Sequence, residues 1–338
     1  MRKKISHYSL CLLLAVGSLT AKAQDPHFSQ YFHAPMLLNP AFTGKDIADW
    51  RLQAVYRSQW WGSGDPLFKT YDLSLEKKVV PGETGNSGFS VGAYLLSDVS
   101  NGGILKHNFF SLSAAYALPL NRDGSEILGV GLQGVYANRL IDRNSLTLPS
   151  QFGSMGYQRN APSGDAVDIA TSRYLDVNAG LTYSHRFSNW GYYTGASIYH
   201  AAKPRDGITS NSQYYIPSRI SLQGGADFTL GESSLSFSTS LDFQGGNGIF
   251  TLGGLYRIPT NNPRLVSLNA GIWNRFGDAL IPYFGFEFTN LLLSVTYDAV
   301  TSSVTKGYNS VQSMELGVAW LFGKKNNKGG NTGKPLVY

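Results

Sequence analysis

From residue 49 onward, apolar and polar positions trade places every second residue. Trp50, Leu52, Ala54 and Tyr56 form one phase and Arg51, Gln53, Val55 and Arg57 the other. Leu175, Val177, Ala179, Leu181 and Tyr183 alternate with Asp176, Asn178, Gly180, Thr182 and Ser184, and Leu235, Phe237, Thr239, Leu241 and Phe243 with Ser234, Ser236, Ser238, Ser240 and Asp242. Met314, Leu316, Val318, Trp320 and Phe322 close the series. A step of two is the β-strand repeat, and no helical period is sustained anywhere. About fourteen such segments of about ten residues can be counted. They lie near 49–59, 69–77, 87–97, 107–118, 126–139, 174–187, 191–201, 217–230, 233–244, 248–258, 264–274, 280–289, 291–299 and 312–322.

The polar phase is the unusual one. A soluble sandwich would cover it with Lys and Glu; here it holds Ser, Thr, Gly, Asn and Gln, which suits a tightly packed or water-lined lumen. Charged residues make up only 15% of the chain, against roughly 25% in an average soluble domain. Past the first 23 residues no apolar run of about 18 residues offers a membrane helix, which leaves the closed sheet as the way to satisfy every backbone group in lipid. The expected fold is therefore all-β: an antiparallel transmembrane barrel of the outer membrane, about fourteen strands over 49–322, preceded by a periplasmic or plug segment over 24–48. If the first strand runs outward, long connections (61–68, 140–173, 202–216, 300–311) fall on the outer side and short ones (188–190, 231–232, 289–290) in the periplasm, where both termini are also expected. Connections 245–247 and 275–279 are short for outer loops. Trp50, Trp190 and Trp320 then fall near one rim and Trp60, Trp61 and Trp273 near the other, as an interfacial girdle would require.

Residues 1–23 read as an export signal: Arg2, Lys3 and Lys4, an apolar stretch from Leu10 to Leu19, and a small-x-small site at Ala21-Lys22-Ala23. Removing it takes away four of the basic residues, so the net charge of +6 falls to +2 and gives no argument for nucleic acid. It also removes Cys11, the only cysteine, and with it disulfides, thiolate metal sites and cysteine nucleophiles. The tail 323–338 is rich in Lys, Asn and Gly and is expected to be solvated in the periplasm rather than to dock.

Two catalytic patterns occur and neither has its context. Gly88-Phe-Ser90-Val-Gly92 matches a nucleophile elbow, but Phe89, Val91, Ala93 and Leu95 continue in strand period where a helix is needed, so Ser90 is expected to face the lumen. Gly129-Val-Gly131-Leu-Gln-Gly134 matches a dinucleotide loop, yet Val135-Tyr136-Ala137 carries on the strand; glycine in a crowded wall explains it better. Ser184 and His185 point to opposite faces of a strand and cannot form a dyad. His27, His33, His107, His185 and His200 lack metal-ligand spacing, and Asp165 and Asp168 lack a calcium-loop pattern. No catalytic residue, metal or cofactor is expected. The connection 140–173 is too long to be a plain link and is expected to fold inward or meet surface cargo.

The block behind the leader carries a resemblance. Asp25-Pro26, Phe28-Ser29-Gln30-Tyr31, Pro35, Leu37-Leu38-Asn39-Pro40-Ala41 and Gly44 resemble the opening motif of the PorP/SprF family. Tyr56-Arg57-Ser58-Gln59-Trp60 with Thr70-Tyr71, Tyr174 to Gly180, and Ser294 to Asp298 resemble later blocks, so the likeness covers nearly the whole mature chain. Ser58, where Asn is usual, and the tail after Phe322 depart from the pattern. The resemblance implies a non-enzymatic outer-membrane barrel associated with type IX secretion and gliding motility, which helps export or anchor cargo. The partners it implies are secretion subunits on the periplasmic side, and a secreted adhesin or carboxy-terminal-domain cargo. The rival is a diffusion pore or hydrophobic-solute transporter of similar strand count; a lipase is a third and weaker reading. Three prolines favour extended or turn structure over helix in the opening block. With Phe28, Tyr31, Phe32, Leu37 and Leu38 as anchors, it is expected to tuck into the lumen or periplasmic mouth or to bind a periplasmic partner. A plug that only steadies the barrel is the alternative.

Overall fold

A computed structural model describes residues 25–47, 49–60, 67–82, 87–142, 146, 149–154, 156–158, 171–206, 214–303 and 311–323. The leader, Trp61, Asp165, Asp168 and the tail beyond Gly323 lie outside the described residues.

The barrel strands are β1 (Trp50–Gln59), β2 (Phe68–Pro81), β3 (Gly88–Ser100), β4 (Leu105–Pro119), β5 (Glu126–Ile141), β8 (Thr171–Arg186), β9 (Trp190–Tyr199), β10 (Arg219–Leu230), β11 (Ser233–Gln244), β12 (Asn247–Pro259), β13 (Leu265–Arg275), β14 (Ala279–Phe288), β15 (Leu291–Val300) and β16 (Ser313–Phe322). A small hairpin, β6 (Phe152–Gly153) with β7 (Gly156–Tyr157), sits in the long connection after β5. Each of the fourteen barrel strands pairs antiparallel with its sequence neighbour, and β1 pairs with β16 from Trp50↔Phe322 to Gln59↔Ser313 to close the sheet. All fourteen segments read from the alternation are strands of this barrel.

Closure leaves no edge, which is what lets a sheet stand in lipid. The outer face is apolar: Leu73, Leu95, Leu112, Leu132 and Leu181 point away from the protein, and Leu175 is 75% exposed. The inner face of the same strands buries Asp72, Gln133, Asp176, Asn178 and Thr182. Short turns such as 231–232 and 289–290 gather at one end, which is the periplasmic end by the usual asymmetry of such barrels. The strand ends at Ile141 and Thr171, at Tyr199 and Arg219, and at Val300 and Ser313 lie at the other, together with the short links 245–246 and 276–278.

One expectation about the girdle fails. Trp190 and Trp320 are exposed at the periplasmic rim, with Trp50 stacked on Phe322 at 5.9 Å. Trp60 packs edge-on against Phe68 at the outer rim. Trp273, however, is 1% exposed and faces inward, its ring 4.9 Å from that of Phe32. It sits on the inner phase of β13, beside outward-facing Ile272, and Gly253 and Gly271 leave the space its indole occupies. Nearness to a strand end located it; strand phase decides which side it serves.

A fourteen-stranded wall is roughly 28 Å across between Cα atoms, too wide for its own side chains to fill. Residues 25–47 fill it. They form a chain of short turns, Tyr31–His33, Pro35–Leu38 and Pro40–Phe42, in which almost every side chain is buried. Prolines at the starts of the second and third turns supply the fixed φ and give up only an amide that needs no partner there.

Candidate functional site

The path of this segment is set by what it bonds. Asp25 lies at the outer end: its carboxylate is 2.9 Å from His200 Nε2 and 3.5 Å from Arg219, and it accepts from Gln244. Those partners stand at the outer ends of β9, β10 and β11. Gly44 lies at the periplasmic end, donating its N–H to Glu76 at 2.6 Å, while Arg51 holds Glu76 with two bonds of 2.9 Å. The strands do begin and end in the periplasm, but the segment itself starts near the outer mouth and descends the lumen to reach β1.

Between these ends sits a four-charge clamp. Glu315 accepts from the backbone N–H of Ser29 at 2.6 Å and of Gln30 at 2.8 Å. Asp298 accepts from the Ser29 hydroxyl at 2.7 Å and from Arg275 at 2.7 Å. Arg57 spans both acids, at 3.3 Å from Asp298 and 3.4 Å from Glu315, and donates to the carbonyl of His27. Arg275 reaches Ser29 as well, at 3.1 Å. Four charged side chains this far from water offset their desolvation only while each keeps its partners. At the outer end, burial alone would push the His200 pKa down, but the hydrogen bonds it donates to Asp176 and then to Asp25 outweigh it and raise it to about 9. Burial pulls Asp25 the other way, and Arg219, His200 and Gln244 hold it below the usual carboxylate range. The His200 contribution is therefore complete below about pH 6.5 and is lost as the pH rises through about 9.

Lower down, shape takes over from charge. The Asn39 side chain accepts from the Ala41 N–H, capping the Pro40–Phe42 turn, and donates to Leu181, Ala196 and Gln223. This turn rests on three glycines of adjacent strands. A Cβ on Gly131 would fall on the Pro40–Ala41 peptide, one on Gly180 on the Asn39 side chain, and one on Gly195 within 3.1 Å of Asn39 Nδ2. Both discarded catalytic patterns are seats of the same kind. Ser90 packs on Gly44, Gly92 lies under Met36, and Gly129 and Gly131 lie under Ala41. Gly134 faces outward with open space around it, so crowding does not explain that glycine.

The residues expected as motif or partner contacts divide cleanly. Asp25, Pro26, Phe28, Ser29, Gln30, Tyr31, Pro35, Asn39, Pro40, Ala41 and Gly44 all lie in the lumen, where their contacts are to the chain's own wall. Phe28 packs with Met36, Val55, Tyr94 and Leu96, and Tyr31 bonds Ser238 at 2.7 Å. Arg57 joins them from β1. Tyr56 and Tyr71 do not: they pair with each other, rings 5.1 Å apart, on the outer face, where Tyr71 is 45% exposed. Gln59 and Trp60 sit at the outer rim, half-buried. Sequence reasoning missed Arg51, Glu76, His200, Arg219, Arg275, Asp298 and Glu315 as site residues. The signal was there: ionic side chains on the inward phase of a chain otherwise poor in charge.

Gly44 offers a direct test of how tightly the foot is seated. Its φ is +68, and any Cβ would collide with Cβ and Oγ of Ser90. Gly44→Ala is expected to loosen the foot by about 2–4 kcal/mol. Amide hydrogen exchange should quicken over 40–47 with the strands unchanged, and Ser90→Gly should recover the part that is steric.

A model of the family described as type IX secretion system membrane protein PorP/SprF matches residues 20–320. No curated protein matches the chain. Among solved structures, the toluene transporter TbuX of Ralstonia pickettii is 11% identical over 86% of this chain and 94% of its own, with a TM-score of 0.51. The toluene transporter TodX of P. putida is 12% identical over 85% and 93%, with a TM-score of 0.44. The KdgM porin is 10% identical over 81% and 99%, with a TM-score of 0.40. At such identities the likeness to TbuX speaks for the outer-membrane barrel fold and nothing further. The family match covers the plug, the clamp and nearly every strand, and this chain belongs to the PorP/SprF family of type IX secretion membrane proteins.

Proposed function

We propose that this outer-membrane barrel is a non-enzymatic part of the type IX secretion system that assists the secretion or surface anchoring of cargo or adhesin proteins. In this reading residues 1–23 direct export and are removed. Secretion subunits meet the barrel at its periplasmic end, and cargo meets it at the outer connections. The observation that carries the reading is that the family's opening block fills the lumen. A lumen that holds its own chain from Asp25 at the outer end to Gly44 at the periplasmic end leaves less room for a standing aqueous path, which weighs against the diffusion-pore alternative.

Affinity purification of the tagged protein from native membranes tests it. Periplasmic secretion subunits or a large adhesin are expected to come with it. Solute uptake in liposomes by the purified barrel alone, with no such partners retained, would instead favour the transporter. Deleting residues 25–44 sharpens the result: a folded barrel with lost secretion ties the segment to export.

A further inference from the structure

The basic side chains of this barrel divide by the side of the wall they face. Inside, arginine meets acid: Arg51 with Glu76, Arg57 and Arg275 with Asp298, Arg219 with Asp25, and Arg257 with Glu287. Three others face away from the lumen. Buried Thr70, Ser111 and Tyr174 mark the inward phase of β2, β4 and β8, which puts Lys69, Lys106 and Arg173 on the lipid-facing phase. Each lies within three residues of the outer end of its strand, and none forms an ion pair among the described residues. Lys69 follows Phe68, whose ring meets that of Trp60 at the outer rim, so this end of the wall stands at headgroup height. The corresponding ends of β9, β10, β11, β12, β14 and β15 present Ile198, Ile220, Phe243, Phe250, Leu280 and Tyr297 to lipid instead.

Register joins the three cations. Lys69 and Lys106 flank Val99 in one row across β2, β3 and β4, roughly 10 Å apart at the usual strand spacing. The next outward-facing row toward the periplasm runs Tyr71, Ser97, Asn108, Asn138, Arg173. A polar atom on the lipid side costs free energy until something bonds it. The Ser97 hydroxyl donates to Asn108 at 2.7 Å, but Asn138 Oδ1 is buried and, among the described residues, has no hydrogen bond. Below this row a groove of about 510 Å³ opens in the outer face, lined by Ala54, Tyr56, Tyr71, Leu73, Leu95 and Leu316, with Ser97 and Asn108 at its upper edge. Ala54 is its floor, between Leu73 and Val318 of the neighbouring strands. We infer that this face holds a phosphorylated, anionic lipid of the outer leaflet, its phosphate among Lys69, Lys106 and Arg173 and an acyl chain in the groove over Ala54. The phosphate neutralises cations that the protein leaves unmatched, and the guanidinium can give it two bonds at once. A hydroxyl or amide of the lipid backbone donates to Asn138. The groove is what favours a lipid over free phosphate, because an apolar lining gains only from an apolar occupant.

Native mass spectrometry of the detergent-solubilised barrel, purified from native membranes, tests this with bisphosphorylated lipid A as probe and phosphatidylcholine as the net-neutral comparison. Lipid A is expected to stay bound at energies that strip detergent, and phosphatidylcholine to leave. Lys69→Gln, Lys106→Gln and Arg173→Gln together should weaken lipid A binding at least about tenfold, because each cation near the headgroups adds to the attraction. Arg122→Gln, Lys203→Gln and Arg264→Gln remove the same charge at exposed positions elsewhere and should leave binding unchanged. Ala54→Phe fills the floor of the groove and should weaken lipid A binding several-fold. Heat-modifiable migration on gels reports that each variant is folded. Equal retention of phosphatidylcholine overturns the inference, as does displacement of lipid A by an excess of inorganic phosphate. So does a folded first triple variant that binds as wild type or loses no more than the second, and so does unchanged binding in Ala54→Phe. The secretion reading is untouched by any of these outcomes, so the two fall separately.

Discussion

Replacing Arg57 and Arg275 together with alanine is expected to turn a silent barrel into a conducting one. Both arginines serve Asp298, and Arg57 also serves Glu315. Without them two carboxylates face each other across Ser29 in a space closed to water. Removing one partner of a buried pair costs about 3–5 kcal/mol, and here both cations go. Water entering the space the two side chains leave then competes with the segment for the carboxylates and loosens its seat. The strand pairing is independent of this cluster, so the barrel should stay closed as a sheet while the plug's outer half leaves its seat. In planar bilayers the wild type should show almost no current and the double variant frequent openings, with heat-modifiable migration on gels reporting that the barrel is intact. Glu315→Gln is the milder control: it keeps one acceptor for the two amides but loses the attraction of Arg57. A double variant that folds and stays as silent as wild type would show that the clamp does not hold the plug.

The strands were legible because lipid imposes a period of two on every one of them, and no tertiary detail is needed to see it. Phase was harder. Ile272 and Trp273 are neighbours near the end of one strand, and only the count along β13 tells that the first meets lipid and the second the lumen. The opening block was recognisable as a unit, yet its seats were not. Ser29 and Glu315 are far apart in sequence, and neither strand around Gly131 or Gly180 announces what lies on it. Arg57 and Asp298 entered through motifs, whereas Glu315 was visible only as a member of an alternating segment. An acid placed on the inner phase of a barrel strand needs a partner across the lumen, and that rule would have found them.

The wall glycines carry the second large effect, with a sign opposite to local propensity. Valine is a better strand residue than glycine, so Gly131→Val with Gly180→Val should strengthen β5 and β8 by about 1 kcal/mol if the wall were all that mattered. The two positions pair directly across the ladder and both face the Asn39–Pro40–Ala41 turn. New side chains there would occupy the space of the Asn39 amide, which is fixed by bonds to Leu181, Ala196 and Gln223, and of the Pro40 carbonyl, which accepts from Thr43. The turn cannot shift aside, because its Asn39 cap and Pro40 define it. The double variant is therefore expected to evict the plug: residues 25–47 become sensitive to added protease, current appears in bilayers, and the strands keep or improve their resistance to heat. A variant with a more stable barrel and a protected plug would mean that the turn has another seat. The glycines would then be incidental to closure, and the charge clamp alone would have to hold the segment.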